Sequence, residues 1–434
     1  MRNQALKKGQ KIRKGLRLVA TFSSILLLVF FSTVSYRDAV QVASNRAYAP
    51  AINPSGEEVK VSWADTWNFL SGTTLKRVKC KIQNSQECPF LKPFRVPKQI
   101  NTNFYNLIST ETQLNATEKS LAAIDQIQDR TLLILSKSGQ INFYNPTLQK
   151  VQQQLVLNVK YLGYNPGKIR GPLAGVDESG GLGLRDFEVY SNSGKDFLYY
   201  SFLSLSSRGC LAMNLHKGEL ALDMNSQWKL SKDREIWSTS FECVKFKDAH
   251  LLGSGGKIAK YSRGKVLLTL GDMNLIDRRK ISSVWGNTVL INESTGKHEI
   301  FTRGHRNPSG IIKVSSESVI ETEQGPRGGD EINLLVRGYD YGWPYSSYGR
   351  NYSYGGYNAV ENSHIFGTQP LIAFVPSPAF SAISTFRVGA PKYWSNERGE
   401  SDVFVSSLKA ASIYRCRLSI NFTKIPYCEK IFVG

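Results

Sequence analysis

The stretch "GHRNPSGIIKVSSESVIETEQGPRGGDEINLLVRGYDYGWP", Gly304 to Pro344, packs Gly, Pro and charge between short β-rich runs. Its segment "SGIIKVSSESVIETEQ" is β-branched and aliphatic with a polar turn at its centre, which reads as two strands and their hairpin. The same alternation continues outward on both sides. "RTLLILSKSGQINFYN", "DFLYYSFLSL", "GCLAMNL", "IWSTSFECVKF", "KIAKYSRGKVLLTLGD", "NTVLINESTG" and "SDVFVSSLKAASIYRCRLSI" are further strands and hairpins, with turns such as "YSRGK" and "ESTGK". Long amphipathic helical patterns are nearly absent, so the expected class is all-β. So many short strands fit a sandwich pair, a large barrel or a propeller. At four strands and about 40–50 residues per blade, a propeller would have six or seven blades.

The chain has 434 residues, 41% of them hydrophobic, enough for a sizeable core and too many for a disordered protein. Its formal charge of +20 invites a nucleic-acid reading. Seven of those charges, however, stand in the first seventeen residues without one acid: Arg2, Lys7, Lys8, Lys11, Arg13, Lys14 and Arg17. The remaining +13 is spread along the chain with no basic run and no recognisable binding motif, which excludes nucleic acid as the expected partner.

Directly after the basic segment, Leu18 to Tyr36 form nineteen residues without a charge, long enough to span a bilayer core of about 30 Å. The basic flank holds the N-terminus in the cytoplasm, so the bulk of the chain is expected on the periplasmic or extracellular side. The nearest small-x-small site, Ala47-Tyr48-Ala49, lies well beyond the apolar run, and a retained transmembrane signal anchor is expected. The organisation read here is a basic cytoplasmic segment over 1–17, an anchor helix over 18–36, an irregular lead-in over 37–116 and the β-rich domain over 117–434.

Six cysteines on the exported side fit an oxidising compartment. Cys80/Cys88 and Cys416/Cys428 are close enough to staple local loops, which leaves Cys210/Cys243 as a third pair, one of fifteen connectivities. No CxxC or His/Cys cluster stands in the chain, so structural zinc and thioredoxin-type chemistry have no sequence support. Hydrolysis lacks its signal too, because no GxSxG nucleophile elbow occurs.

"GHRNPSG" (Gly304 to Gly310), "ETEQGPRGGDEINLL" (Glu321 to Leu335) and "YDYGWP" (Tyr339 to Pro344) closely resemble the soluble glucose dehydrogenase and aldose sugar dehydrogenase family, which binds pyrroloquinoline quinone (PQQ). "DESGGLGLRDF" (Asp177 to Phe187), "GGKIAKYSRGKVLLTLGD" (Gly255 to Asp272) and "VFVSSLKAASIYRCRL" (Val403 to Leu418) extend the resemblance from about Thr117 to the C-terminus. It implies a six-bladed β-propeller with the cofactor over the central channel. PQQ is a planar tricarboxylate quinone, and guanidinium suits carboxylates through bidentate hydrogen bonding. The resemblance assigns Arg306 and Asn307 to cofactor contact, Lys409 to the quinone and Glu178 to a polar position at the site. It also assigns the backbone carbonyls of Gly325 and Pro326 to a calcium ion that polarises the quinone; glycine and proline let carbonyls turn toward one hard cation. Asp330 and Glu331 are expected to hold that loop by accepting backbone hydrogen bonds, the alternative being a second, structural calcium.

Sugar oxidation of this kind needs a base for the anomeric proton, an imidazole oriented by a carboxylate. Asp272 matches the carboxylate. The family's histidine falls on Gly253 here, and the nearest histidine is His250, which either returns through a local bulge or is a surface residue. The family also continues past the "EKIFVG"-like strand into further cofactor-binding arginines, so a truncated product is expected, the alternative being a quinone site that has lost part of its cationic shell. The reading that results is a membrane-anchored quinoprotein that oxidises a sugar or related hydroxyl compound and passes electrons toward a respiratory chain. The alternative is a non-catalytic binding propeller on the same scaffold.

Overall fold

The computed structural model describes residues 99–101, 106–108, 121–127, 131–136, 139–148, 150–157, 182–246, 249–275, 283–350, 366–385 and 401–433. The anchor segment, Glu178, Cys80 and Cys88 lie outside the described residues. Among the described residues no helix is long and apolar enough to cross a membrane.

A two-stranded antiparallel pair, β1 (Gln99–Asn101) and β2 (Asn106–Ile108), comes first. Five antiparallel sheets follow, each built from strands consecutive in sequence. The first holds β3 (Leu121–Gln126), β4 (Leu132–Ser136), β5 (Gln140–Asn145) and β6 (Lys150–Val156). The second holds β7 (Gly183–Asn192), β8 (Lys195–Leu205), β9 (Cys210–Leu222) and β10 (Trp228–Ser238), with the short β11 (Val244–Lys245) also on β9. The third holds β12 (Gly255–Ser262), β13 (Lys265–Leu270), β14 (Asn287–Asn292) and β15 (His298–Arg303). The fourth holds β16 (Pro308–Lys313), β17 (Val319–Glu323), β18 (Asp330–Leu335) and β19 (Ile372–Phe374). The fifth holds β20 (Phe380–Thr385), β21 (Ser401–Ser407), β22 (Ser412–Leu418) and β23 (Tyr427–Val433).

First strands of successive sheets pack beside one another, β3 by β7, β7 by β12, β12 by β16 and β16 by β20, which is the inner ring of a β-propeller. Packing between blades explains the sequence pattern. Along "KVLLTL" of β13, Val266, Leu268 and Leu270 enter the core between the second and third blades, while Leu267 enters the core between the third and fourth. In β17, Val319 faces the third blade and Ile320 the fifth. A blade sandwiched by two others buries both faces, so its strands read as continuous apolar runs.

The expectation of six blades is corrected: the described residues form five blades and the separate β1–β2 pair. Among the described residues, two blades take more chain than that expectation allotted. The second blade runs from Gly183 to Lys245 because its strands reach 13 residues, and the fourth runs from Pro308 to Phe374 because β19 returns to β18 only after a long excursion. Both exceed the about 40–50 residues on which the blade count rests.

Two disulfides are formed, Cys210–Cys243 and Cys416–Cys428. The second joins directly opposed residues of β22 and β23.

Candidate active site

Antiparallel pairing sends the start of each first strand and the end of each second strand to the same end of a blade. Gly255 opposes Leu270, Pro308 opposes Glu323 and Phe380 opposes Ser407. Asp272, Arg306, Asn307, Gly325, Pro326 and Lys409 all lie on connections at that end. Residues distant in sequence are therefore gathered by the register of three blades.

Arg306 is the centre of the cluster. Its Nη1 donates to the carbonyls of Gln324 at 2.9 Å and Gly325 at 2.8 Å, and its guanidinium lies 5.7 Å from the Trp343 ring centroid. The Arg306 backbone N–H donates to Glu323 Oε1, and its carbonyl accepts from Asp272 N at 2.7 Å. Asn307 donates from Nδ2 to Gln324 Oε1 at 3.1 Å, and its carbonyl accepts from Gln324 N. Asp272 is buried, and its carboxylate accepts from Trp343 Nε1 and from Asn274 N, each at 2.7 Å.

The "EQGPRGGDE" loop is folded tightly on itself. A Cβ on Gly325 would stand 2.3 Å from the Gly329 carbonyl oxygen, so only glycine fits there. Asp330 holds the loop from below: its carboxylate accepts from Gly325 N at 3.1 Å, Phe380 N at 3.0 Å and the Ser377 hydroxyl. Burial pushes the Asp330 carboxyl above the usual carboxylate range, and these donors pull it back. Lys409 is exposed on the β21–β22 turn, its backbone N–H donating to Pro378 at 3.1 Å, so the turn is tied to the segment that leads into Phe380.

His250 caps a 3-10 turn, Leu251–Gly253, whose chain is fastened to Met273 by hydrogen bonds from His250 N and to Gly253 O. His250 is itself exposed, as the surface alternative expected; the shielding its ring does have lowers the imidazole pKa below its usual value, Arg306 lowers it further, and Asp272 opposes both. Gly253 faces the same carboxylate: a Cβ there would lie 3.8 Å from Asp272 Oδ1.

The residues fit a PQQ-type group by the chemistry of their donors. Arg306 uses one of its two terminal nitrogens on the loop carbonyls, and guanidinium carries five N–H donors. The Gly325 carbonyl accepts from Arg306 and retains a second lone pair for a cation. A small cavity opens between Arg306, Glu323, Gly325, Trp343 and Ser347.

Trp343 and Gln324 carry no site role in the sequence reading, although "YDYGWP" and "EQGP" contain them. The trio His305, Glu321 and Glu323 goes unread as well, since nothing in a β-rich segment marks which polar residues face inward.

A ligand site assembled from successive blade connections at one end of an all-β propeller is the architecture these observations define. The chain belongs to the glucose/sorbosone dehydrogenase family, whose model matches residues 119–431. It is 28% identical over 187 residues to the aldose sugar dehydrogenase YliI of Escherichia coli, covering 39% of this chain and 48% of that protein. It is 42% identical over 69 residues to quinoprotein glucose dehydrogenase B of Acinetobacter calcoaceticus, covering 15% of this chain and 14% of that one. These matches span less than half the length of either relative. Among solved structures, the soluble aldose sugar dehydrogenase of Escherichia coli in its apo form superposes with a TM-score of 0.53 at 22% identity, over 72% of this chain and 86% of that one. The PQQ-bound aldose sugar dehydrogenase of Streptomyces coelicolor also gives 0.53, at 16% identity over 78% and 87%. These two likenesses support the propeller fold.

Proposed function

We propose that this chain is a quinoprotein dehydrogenase that oxidises an aldose or related hydroxyl compound with PQQ and calcium. In this reading its uncharged segment over 18–36 anchors it on the outer side of a membrane, and it delivers electrons to an acceptor of a respiratory chain. The hydrogen-bonded cluster of Asp272, Trp343, Arg306 and Gly325 carries the reading. When bound, PQQ supplies a two-electron acceptor for a hydride. Arg306, Asn307 and Lys409 supply donors for its carboxylates and quinone oxygens, and the Gly325 and Pro326 carbonyls suit a hard calcium ion. Asp272 is fixed in place by two donors and can orient an imidazole. His250, held neutral near pH 7 by its lowered pKa, is suited to take the proton of the substrate hydroxyl. The comparisons do not favour the non-catalytic alternative.

The test is a titration of the full chain with PQQ and calcium, followed by cofactor absorbance and then by dye-linked oxidation of a panel of aldoses. Saturable binding with turnover is expected. Absence of both PQQ binding and calcium binding removes the quinoprotein reading. Binding without oxidation of any aldose leaves a cofactor cradle without a base.

A further inference from the structure

Beneath Arg306 lies a set of side chains that the proposed reaction does not use. His305 follows β15, and Glu321 and Glu323 stand two residues apart on β17, so both carboxylates leave the strand on the same face. All three residues are buried, His305 and Glu321 completely. His305 Nδ1 lies 3.0 Å from Glu321 Oε1 and 3.1 Å from Glu323 Oε2, and the three atoms fall within 4.8 Å of one another.

The far atom of each side chain is held by the protein. His305 Nε2 is 2.9 Å from the Thr302 hydroxyl, Glu321 Oε2 accepts from Thr288 Oγ1 at 2.9 Å, and Glu323 Oε1 accepts from the Arg306 backbone N–H. The imidazole also stacks on Tyr341, with ring centroids 5.0 Å apart. Three near atoms thus converge while three far atoms are anchored, the arrangement by which outer hydrogen bonds orient metal ligands.

One proton cannot satisfy this geometry. Nδ1 carries at most one N–H, its hydrogen-bonding partner is Glu323, and Glu321 Oε1 is left buried without a hydrogen bond. With an imidazolium and both carboxylates ionised, the trio would retain one net negative charge in a buried place, which is costly. With a neutral imidazole and a divalent cation the sum is zero.

We propose that His305, Glu321 and Glu323 form a buried site for a divalent transition-metal ion of the zinc–manganese class. One nitrogen and two carboxylate oxygens suit borderline ions, whereas the carbonyl oxygens of Gly325 and Pro326 suit calcium, so the two sites are chemically separate. Glu323 also lines the small cavity. Through Glu323 the ion positions the Arg306 backbone. The proposal does not depend on the dehydrogenase reading.

The full chain, produced in zinc-supplemented medium and dialysed against a chelator, is expected to retain about one zinc per chain by elemental analysis. Glu321→Gln should lower that content more than tenfold. Thr288→Val removes only the outer hydrogen bond of Glu321 and should weaken zinc retention by about tenfold in a folded chain. Cobalt loaded into the wild-type chain should give visible d–d bands that zinc displaces and calcium does not. A wild-type chain that holds neither zinc nor cobalt, or variants that retain the full content, would overturn the proposal.

Discussion

Trp343 donates its indole N–H to Asp272 Oδ2 at 2.7 Å, joining the excursion of the fourth blade to the connection that follows β13 in the third. The other carboxylate oxygen takes the Asn274 N–H, so Asp272 is held as an acceptor in one orientation. Its position relative to Arg306 is fixed independently by the bond between their backbones. These three hydrogen bonds hold Asp272 in one orientation relative to Arg306, the condition for an orienting carboxylate.

Arg306→Ala should weaken PQQ binding by roughly one to two orders of magnitude, because a charge-assisted hydrogen bond contributes about 1.5–3 kcal/mol. Arg306→Lys should not restore it: an ammonium is a point donor and cannot serve the Gln324 and Gly325 carbonyls and a carboxylate together. The readout is the cofactor absorbance. Unchanged affinity in Arg306→Ala would remove Arg306 from the cofactor site.

His250→Ala should leave PQQ binding near normal while sugar oxidation falls by about 10²-fold or more. Since its pKa lies below the ordinary value of about 6.5, the base is free at pH 7, and the acid limb of kcat/KM should lie below about pH 6.5. Gly253→His in the His250→Ala background should recover much of the rate, because a Cβ at 253 would lie 3.8 Å from Asp272 Oδ1. Full activity in His250→Ala would show that another group is the base.

Asp330→Ala should lower unfolding free energy by about 2–4 kcal/mol, since it orphans the Gly325 and Phe380 N–H groups and the Ser377 hydroxyl. It should also raise the calcium needed for half-maximal turnover by tenfold or more, as the Gly325 carbonyl loses its setting. Thermal melts and a calcium titration read the two effects separately. A calcium requirement unchanged in a destabilised variant would place calcium elsewhere.

Glu293 draws Lys217 and Lys260 together at the boundary of the second and third blades, beneath the hydroxyl of Tyr199. Glu293→Ala leaves two facing cations in a largely buried place and should cost about 3–5 kcal/mol by chemical denaturation. The exposed pair Arg337–Glu299 is the control: Arg337→Ala should cost less than about 1 kcal/mol. Equal costs for the two would refute the assigned role of Glu293.

Non-reducing peptide mapping should find Cys210–Cys243 and Cys416–Cys428, and reducing both should cost about 2–4 kcal/mol per bridge. Free thiols at these four positions would contradict the assignment.

The sequence by itself determined the strands, because β-branched runs and Gly/Pro punctuation act over a few residues, and "KVLLTL" and "VIETE" are too short between turns to read as helices. It determined the loop chemistry too: Gly325 is where backbone approaches backbone so closely that no side chain fits, and a residue type records that directly. Blade count was not legible, since strand length and the excursion before β19 are set by what each blade packs against. Nor was the partnership of Asp272 with Trp343, or the convergence of His305, Glu321 and Glu323. Those depend on antiparallel register, which decides which face of a strand points inward and brings together residues whose separation along the chain carries no trace of their contact.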